Sequence, residues 1–336
     1  MPAEDTCAGA GPGFVHHACL YGTDAEFLAM AVPFVEAGLA AGEPVLAATT
    51  PANIELLRDA LGERARALDT AETAYFGRRP VERVSAFLRY HDHRARPGRR
   101  MRMIAEPVWG GKSARQVAEW KRMESGLNVL LAGLPVWMIC PYDTRTVPPD
   151  VAEAACATHP ARLDGERLIP CAAYADPGTY AAGVRLPRAP APAGAARTGP
   201  TASLADVRRF ARERAAAGGL SGERLALAVL AVCEAAGYLL AAGEAGVARV
   251  ALRAWEEPGV LAYELVRVQG AAVGEGAVFA GFRPPGDAEA VEDGLWLARS
   301  LSDSLDVQVR GPLTRLTLRV AGPADAERFP PPRPFP

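Results

Sequence analysis

Between residues 14 and 165, short apolar runs alternate with longer segments whose apolar positions recur every three or four residues. The runs are HHACLY, PVLAATT, MRMIAEPV and PVWMICPY, at 16–21, 44–50, 101–108 and 135–142. A helical pattern follows each run; the first begins at Asp24 and places Phe27, Met30 and Phe34 near one face. Continuous apolar strands that alternate with helices predict an α/β unit whose parallel sheet is covered on both faces.

A different pattern begins after residue 203. Two helices with apolar stripes are followed by VARVALRAWEE and VLAYELVRVQG, which alternate and are joined by Pro258-Gly259. The helical segment DGLWLARSLSDSLDV then leads into a second hairpin, which turns at Gly311-Pro312. Helices on one face of a mixed or antiparallel sheet predict an α+β two-layer sandwich.

The segment between these patterns, LPRAPAPAGAARTGPTAS, is rich in Pro, Ala and Gly and has no hydrophobic period. Such a composition predicts an extended, semi-rigid linker. We therefore expect domains at 1–185 and 203–322, a linker at 186–202, and a Pro-rich tail at 323–336.

Bulk properties narrow the class of protein. The net charge is −2, which gives no electrostatic reason to expect nucleic acid or an anionic membrane as a partner. No apolar run is long enough to span a membrane, and the N-terminus has no signal-peptide pattern, so we expect a cytoplasmic protein. The six cysteines are scattered without a CxxC pair, which favours buried free thiols and predicts no metal site.

Ligands of parallel α/β sheets bind beyond the carboxyl ends of the strands. Together with the intervening helix, this rule selects candidate residues for one polar crevice: Tyr21, Asp24, Glu106, Trp109, Glu124, Asn128, Tyr142 and Asp143. Two simpler roles stay open, because Asp24 also fits a helix cap and Asp143 a turn. Cys140 and His159 could act as a nucleophile and its base, but the sequence does not show that they meet, and a buried structural Cys140 is favoured. His16 and His17 share a strand, so one should point into the protein and one outward.

Three runs carry a resemblance to a known family: FVHHACLYGTDAEFLAMAVPFVEAGLAAGEPVLAATT, EPVWGGKSARQVAEWKRMESGLNVLL and VWMICPYDTRTVPPDVAEAACATHP. In this order, over about 14–165, they resemble the MEDS (methanogen/methylotroph sensory) domain. The resemblance implies a fold like that of P-loop ATPases without a working phosphate loop, and a sensor of small molecules, with hydrocarbon derivatives proposed. That family often has a His-Glu pair where this chain has Met123-Glu124, so the role of the missing His stays open.

A second resemblance rests on AVCEAAGYLLAAG and FRPPGDAEAVEDGLWLARSLSDSLDV. Over about 203–320 the chain resembles a GHKL ATPase domain of the anti-sigma-factor kinase type. The resemblance places Glu234 at the position of the catalytic base and Tyr238 at that of the Mg²⁺-binding Asn.

The other ATP-binding motifs of that family are also altered. Val268 stands where an Asp would bind adenine, with only Gly270 kept. Glu292 and Asp293 precede Gly294 where an Arg and a Gly would approach phosphate. These departures predict a degenerate domain, with no cofactor expected and with ATP and Mg²⁺ disfavoured.

The combination predicts a cytoplasmic signalling or transcription regulator. Its N-terminal domain would sense a small molecule or a partner, and its C-terminal domain would bind a sigma factor or an anti-sigma antagonist. Two alternatives stay open: an active serine/threonine protein kinase of the anti-sigma type with Glu234 as base, and a scaffold with both sites defunct. Homo-oligomerisation is also left open.

Overall fold

The computed structural model describes residues 13–77, 79–165, 167–185, 191–241, 248–267, 278–286, 292–310 and 313–322. The chain divides into two compact units, Met1–Arg185 and Leu186–Pro336.

The N-terminal unit is α/β with a mostly parallel sheet, which confirms the predicted class. Its strands are β1 Val15–Tyr21, β2 Val45–Thr49, β3 Asp69–Glu72, β4 Met101–Ala105, β5 Val136–Asp143, β6 Ala161–Asp164 and β7 Arg167–Pro170. Its helices are α1 Asp24–Ala40, α2 Pro51–Leu61, α3 Pro80–Arg94, α4 Ala114–Leu130, α5 Pro149–Thr158 and α6 Pro177–Gly183, with a 3₁₀ turn at Gly62–Ala67. The strand order is β3-β2-β4-β5-β1-β6-β7, and only the β6–β7 pair is antiparallel.

The local sequence explains why the helices begin where they do. The hydroxyls of Thr23, Thr50 and Ser113 accept hydrogen bonds from backbone N–H groups in the first turns of α1, α2 and α4. These bonds satisfy donors that a helix start leaves without partners. All five residues of β2 are buried, as a strand covered on both faces requires.

The C-terminal unit packs helices against a five-stranded antiparallel sheet. Its strands are β8 Ala196–Thr201, β9 Val250–Glu257, β10 Val260–Arg267, β11 Ser304–Arg310 and β12 Leu313–Ala321, in the order β11-β12-β10-β9-β8. Its helices are α7 Leu204–Ala217, α8 Gly222–Ala241 and α9 Asp293–Leu301. Alternate residues of the strands join the helices in one apolar core, as in the predicted two-layer arrangement.

One part of the predicted linker is a strand. Residues 196–201 form the edge strand β8, which pairs with β9 and has an irregular register between Thr198 and Thr201. Pro200 lies in this irregular stretch, and Pro is tolerated on an edge because an edge strand leaves some N–H groups without ladder partners. The Pro-rich composition that suggested a linker therefore also fits an edge strand.

Among the described helices, α8 alone has the length and apolar composition of a membrane span. It also supplies much of the C-terminal core, including Val232, Ala236 and Leu239. Because a core helix of a soluble protein has the same composition, α8 is weak evidence for a span.

Replacing either of two glycines by alanine should change the stability of the C-terminal unit, in opposite directions. Gly281 has φ +72°, and a Cβ there would lie 2.6 Å from the backbone carbonyl carbon of Leu295. We expect Gly281→Ala to destabilise the unit by about 2 kcal/mol or more, since positive φ and a backbone clash both oppose the methyl group. Gly237 lies inside α8 with no atom within 4 Å of such a Cβ, so Gly237→Ala should stabilise the unit by about 0.5–1 kcal/mol. Hydrogen exchange of the two full-length variants measures the change in stability of the unit. Equal changes in stability in the two variants would contradict the prediction.

Candidate functional site

A buried carboxylate at the carboxyl end of the N-terminal sheet collects hydrogen bonds from three elements. Tyr21 Oη donates to Glu106 Oε1 at 2.7 Å, and Asn53 Nδ2 donates to Glu106 Oε2 at 2.9 Å. The Thr49 hydroxyl also donates to Glu106 Oε2. Burial and the neighbouring Glu106 raise the pKa of Tyr21, so its hydroxyl stays a donor. We call Tyr21, Thr49, Asn53 and Glu106 the Glu106 network.

Arg83 lies beside this network as a fully buried cation of α3. Its guanidinium donates to Thr73 Oγ1 at 2.9 Å and to the backbone oxygen of Glu106 at 3.1 Å. Burial lowers the pKa of Arg83. The nearby carboxyl groups raise this pKa, and Glu124 does so more strongly than Glu106. Arg83 therefore provides a buried positive charge that interacts with both carboxyl groups.

A cluster of three aromatic rings lies close to the Arg83 guanidinium. The Trp109 ring stacks on Tyr142 at 6.2 Å and meets Trp120 edge-on at 6.3 Å, between ring centroids. The Arg83 guanidinium lies 5.6 Å from the Trp120 ring centroid. The buried Nε1 of Trp109 has no hydrogen-bond acceptor within the described part of the chain. A buried indole N–H usually has one, so this donor is a notable feature of the unit.

Four side chains of metal-ligand type meet inside the unit, and we call them the buried quartet: His16 of β1, Glu124 of α4, Cys140 of β5 and His159, which follows α5. One ligand atom from each lies within 4.8 Å of all the others. His16 Nε2 is 3.3 Å from Cys140 Sγ and 3.9 Å from Glu124 Oε2. His159 Nε2 is 3.8 Å from the same Glu124 oxygen.

Outer hydrogen bonds fix which nitrogen of each quartet histidine carries the proton. His159 Nδ1 lies 2.9 Å from the backbone oxygen of Ala155, which can only accept, so Nδ1 donates. The Asn128 amide nitrogen donates to the oxygens of Ser125 and Thr158, which leaves Asn128 Oδ1 to accept from His16 Nδ1 at 3.2 Å. In the neutral rings, both Nε2 atoms therefore carry lone pairs.

Burial determines the protonation of the quartet. Desolvation raises the pKa of Glu124 to about 7 and lowers that of His159 to about 3. It also raises the pKa of the Cys140 thiol and lowers that of His16. A thiol with a raised pKa is a poor nucleophile, which argues against the nucleophile–base interpretation of Cys140 and His159.

The eight residues predicted for one crevice fall into three groups. Tyr21 and Glu106 belong to the Glu106 network. Trp109, Glu124, Asn128 and Tyr142 lie on the other face of the sheet, where Trp109 stacks on Tyr142 and Asn128 contacts His16 of the quartet that contains Glu124. Asp24 is exposed and Asp143 is half-buried, and Arg145 contacts them at 2.9 and 2.8 Å, respectively.

Sequence reasoning missed Arg83 and the convergence of the two quartet histidines. Both His16 and His17 are buried, because helices cover both faces of the sheet. The expectation that one would point outward was therefore wrong. Arg83 gave no separate signal, since a single Arg in a helix is usually solvated.

In the C-terminal unit, several residues of the predicted nucleotide site lie together. A Cβ at Gly294 would lie 2.7 Å from Glu234 Oε2, so the Glu234 carboxylate reaches the start of α9. Tyr238 is buried, and its pKa is raised by burial and next by the charge of Glu292. Asp293 begins α9. Val268 and Gly270 lie outside the described residues.

Five of the six cysteines lie in the described part of the chain, and all five are free. Cys19 and Cys140 are buried, and the other three are half-buried.

Comparison with known proteins finds a family match for the N-terminal unit. Residues 15–160 match the sequence model of the MEDS family, described as the methanogen/methylotroph, DcmR sensory domain. No curated protein matches the chain. The GHKL resemblance of the second unit stays a prediction. The match supports a MEDS sensory domain in the N-terminal unit, which suggests a signalling role for the protein.

Proposed function

We propose that the protein is a cytoplasmic signalling regulator whose MEDS unit binds a small molecule. Its second unit would pass the signal on by binding a partner protein without phosphorylating it. Ligand binding would favour one arrangement of the chain and thereby change access to the partner surface.

The observation that carries the sensory part is the buried N–H of Trp109. Leaving a buried donor without an acceptor costs about 1–3 kcal/mol, and a ligand oxygen, nitrogen or halogen could recover that energy. The rings of Tyr142 and Trp120 beside it offer apolar contact. Together they suit a small ligand with an apolar body and one acceptor atom.

A thermal-shift panel of small alcohols, ketones, amines and halogenated or methylated compounds tests this site. A ligand at 100 times its Kd should stabilise the native state by about 2.7 kcal/mol. We expect Trp109→Phe, which keeps the ring and removes the N–H, to weaken the response. The control is Trp137→Phe, because Trp137 lies on the other face and already donates to His17 Nδ1 at 3.2 Å. An unchanged response in Trp109→Phe would refute the proposed role of the indole.

The proposed lack of kinase activity is supported by charges and packing at the start of α9. The acidic residues Glu292 and Asp293 stand at the start of α9, where the resemblance would place phosphate, and like charges repel there. The buried ring of Tyr238 stands where that resemblance calls for a metal-binding amide. The partner we propose is a sigma factor or an anti-sigma antagonist, because that is what such domains of the family bind.

Calorimetric titration of Mg-ATP into the full-length protein tests the nucleotide claim. We expect no saturable heat at millimolar nucleotide. Micromolar, Mg²⁺-dependent binding would overturn it, and loss of that binding in Glu234→Ala would favour the kinase alternative.

A further inference from the structure

We propose that the buried quartet is a closed binding site for one divalent transition-metal ion of the Zn²⁺ class. The ligands would be His16 Nε2, His159 Nε2, Cys140 Sγ and Glu124 Oε2. This inference stands apart from the proposed sensory function, since it concerns different atoms and needs no organic ligand.

The distances suit tetrahedral coordination. Bonds from Zn²⁺ to nitrogen, oxygen and sulfur are about 2.0–2.3 Å long, which places tetrahedral ligand atoms about 3.3–3.8 Å apart. Of the six separations between the quartet atoms, three are 3.3, 3.8 and 3.9 Å, and all six are within 4.8 Å. Only small side-chain adjustments would be needed to receive the ion.

The directions of the lone pairs point to a cation. Outer hydrogen bonds from Nδ1 leave the Nε2 lone pairs of His16 and His159 facing Glu124 Oε2. Neither Glu124 Oε2 nor His159 Nε2 has a hydrogen-bond partner within the described part of the chain. Acceptors that face one another in a buried place repel unless a proton or a metal ion lies between them. His16 Nδ1 donates to Asn128, and His159 Nδ1 donates to a backbone carbonyl. Histidines that ligate a metal usually donate their other ring N–H in this way.

Charge and ligand type favour Zn²⁺ over other ions. A Cys140 thiolate and a Glu124 carboxylate would neutralise a divalent cation, so the loaded site would be nearly uncharged in its buried surroundings. Mg²⁺ and Ca²⁺ prefer oxygen ligands, whereas two imidazoles and a thiolate suit zinc or cobalt. Four protein ligands leave no open position, as in structural zinc sites.

The site would join separate parts of the MEDS unit. His16 and Cys140 lie on the adjacent strands β1 and β5, Glu124 on α4, and His159 between α5 and β6. An ion there would tie both central strands to the helices on that face. Removing it should therefore lower the stability of the unit.

Metal analysis of the full-length protein, purified without a His tag, tests the site first. We expect about one zinc ion per chain and, after exchange with Co²⁺, the visible bands of tetrahedral cobalt with a near-ultraviolet thiolate charge-transfer band. Cys140→Ser should abolish the charge-transfer band. Cys19→Ser is the matched control, because Cys19 is a buried thiol on the opposite face of β1 and should leave the spectrum unchanged. Absence of bound metal together with absence of cobalt bands, or an unchanged spectrum in Cys140→Ser, would overturn the proposal.

Two measurements keep the proposal falsifiable if Cys140→Ser does not fold. X-ray absorption of the wild-type zinc protein should show one sulfur and three nitrogen or oxygen ligands, and any sulfur-free coordination would overturn the site. Asn128→Leu removes the acceptor behind His16 without touching a ligand, and it should weaken zinc binding about 10–100-fold. A quartet held only by shared protons would bind no metal in either measurement.

Discussion

Replacing Arg83 by Met should destabilise the N-terminal unit by about 3–5 kcal/mol. The change keeps an apolar stem of similar length and removes a buried cation that donates to Thr73 Oγ1 and to the Glu106 backbone oxygen. Removing one partner of a buried charge leaves the others uncompensated, which is the costly case. Glu106 and Glu124 would both lose their buried positive neighbour.

Hydrogen exchange of full-length protein measures this loss in the N-terminal unit, with peptides of the C-terminal unit as an internal reference. Arg89→Met is the matched control, because Arg89 lies exposed on the same helix and should change stability by less than about 0.5 kcal/mol. Arg83→Lys should fall between the two, since it keeps the charge and loses the planar donor group. Equal stability of the Arg83→Met and Arg89→Met variants would refute the role of Arg83.

The sequence predicted the regular elements well where their patterns were long. The apolar runs of β1, β2, β4 and β5, and the capped helices between them, had clear start and stop signals. The strand β3 was missed because its four residues, DTAE, are polar or small and only partly buried. The hairpin β6–β7 was missed for a similar reason, since its second strand, RLIP, has no buried residue.

The candidate site was only partly accessible to sequence reasoning. The rule for strand ends selected Tyr21 and Glu106, which the structure joins by a hydrogen bond. No local pattern could assemble the buried quartet, because its four residues are far apart in the chain and the spacings are not those of a metal motif. Their meeting depends on the parallel register in which Ala18 pairs with Cys140, and that register is a property of the folded sheet.

His17 should make the N-terminal unit less stable in acid. Burial lowers its pKa from 6.5 to about 4, and its Nδ1 lone pair accepts the Trp137 indole N–H, a bond that protonation would remove. The unfolded chain therefore binds the proton first as the pH falls. The stability that neutral His17 contributes is complete above pH 6.5 and is lost between about 6.5 and 4, by about 3 kcal/mol in total.

Comparison of wild type with His17→Gln isolates this contribution, because Glu124, with its raised pKa, gives an opposite trend that both proteins share. The stability of His17→Gln relative to wild type should improve by about 3 kcal/mol from pH 7 to pH 4, as measured by urea unfolding at each pH. The glutamine oxygen can still accept from Trp137, so folding should be retained. His93→Gln, at an exposed position of α3, should follow the wild-type profile. Parallel profiles for His17→Gln and wild type would mean that His17 is protonated equally easily in the folded and unfolded chain, contrary to its burial.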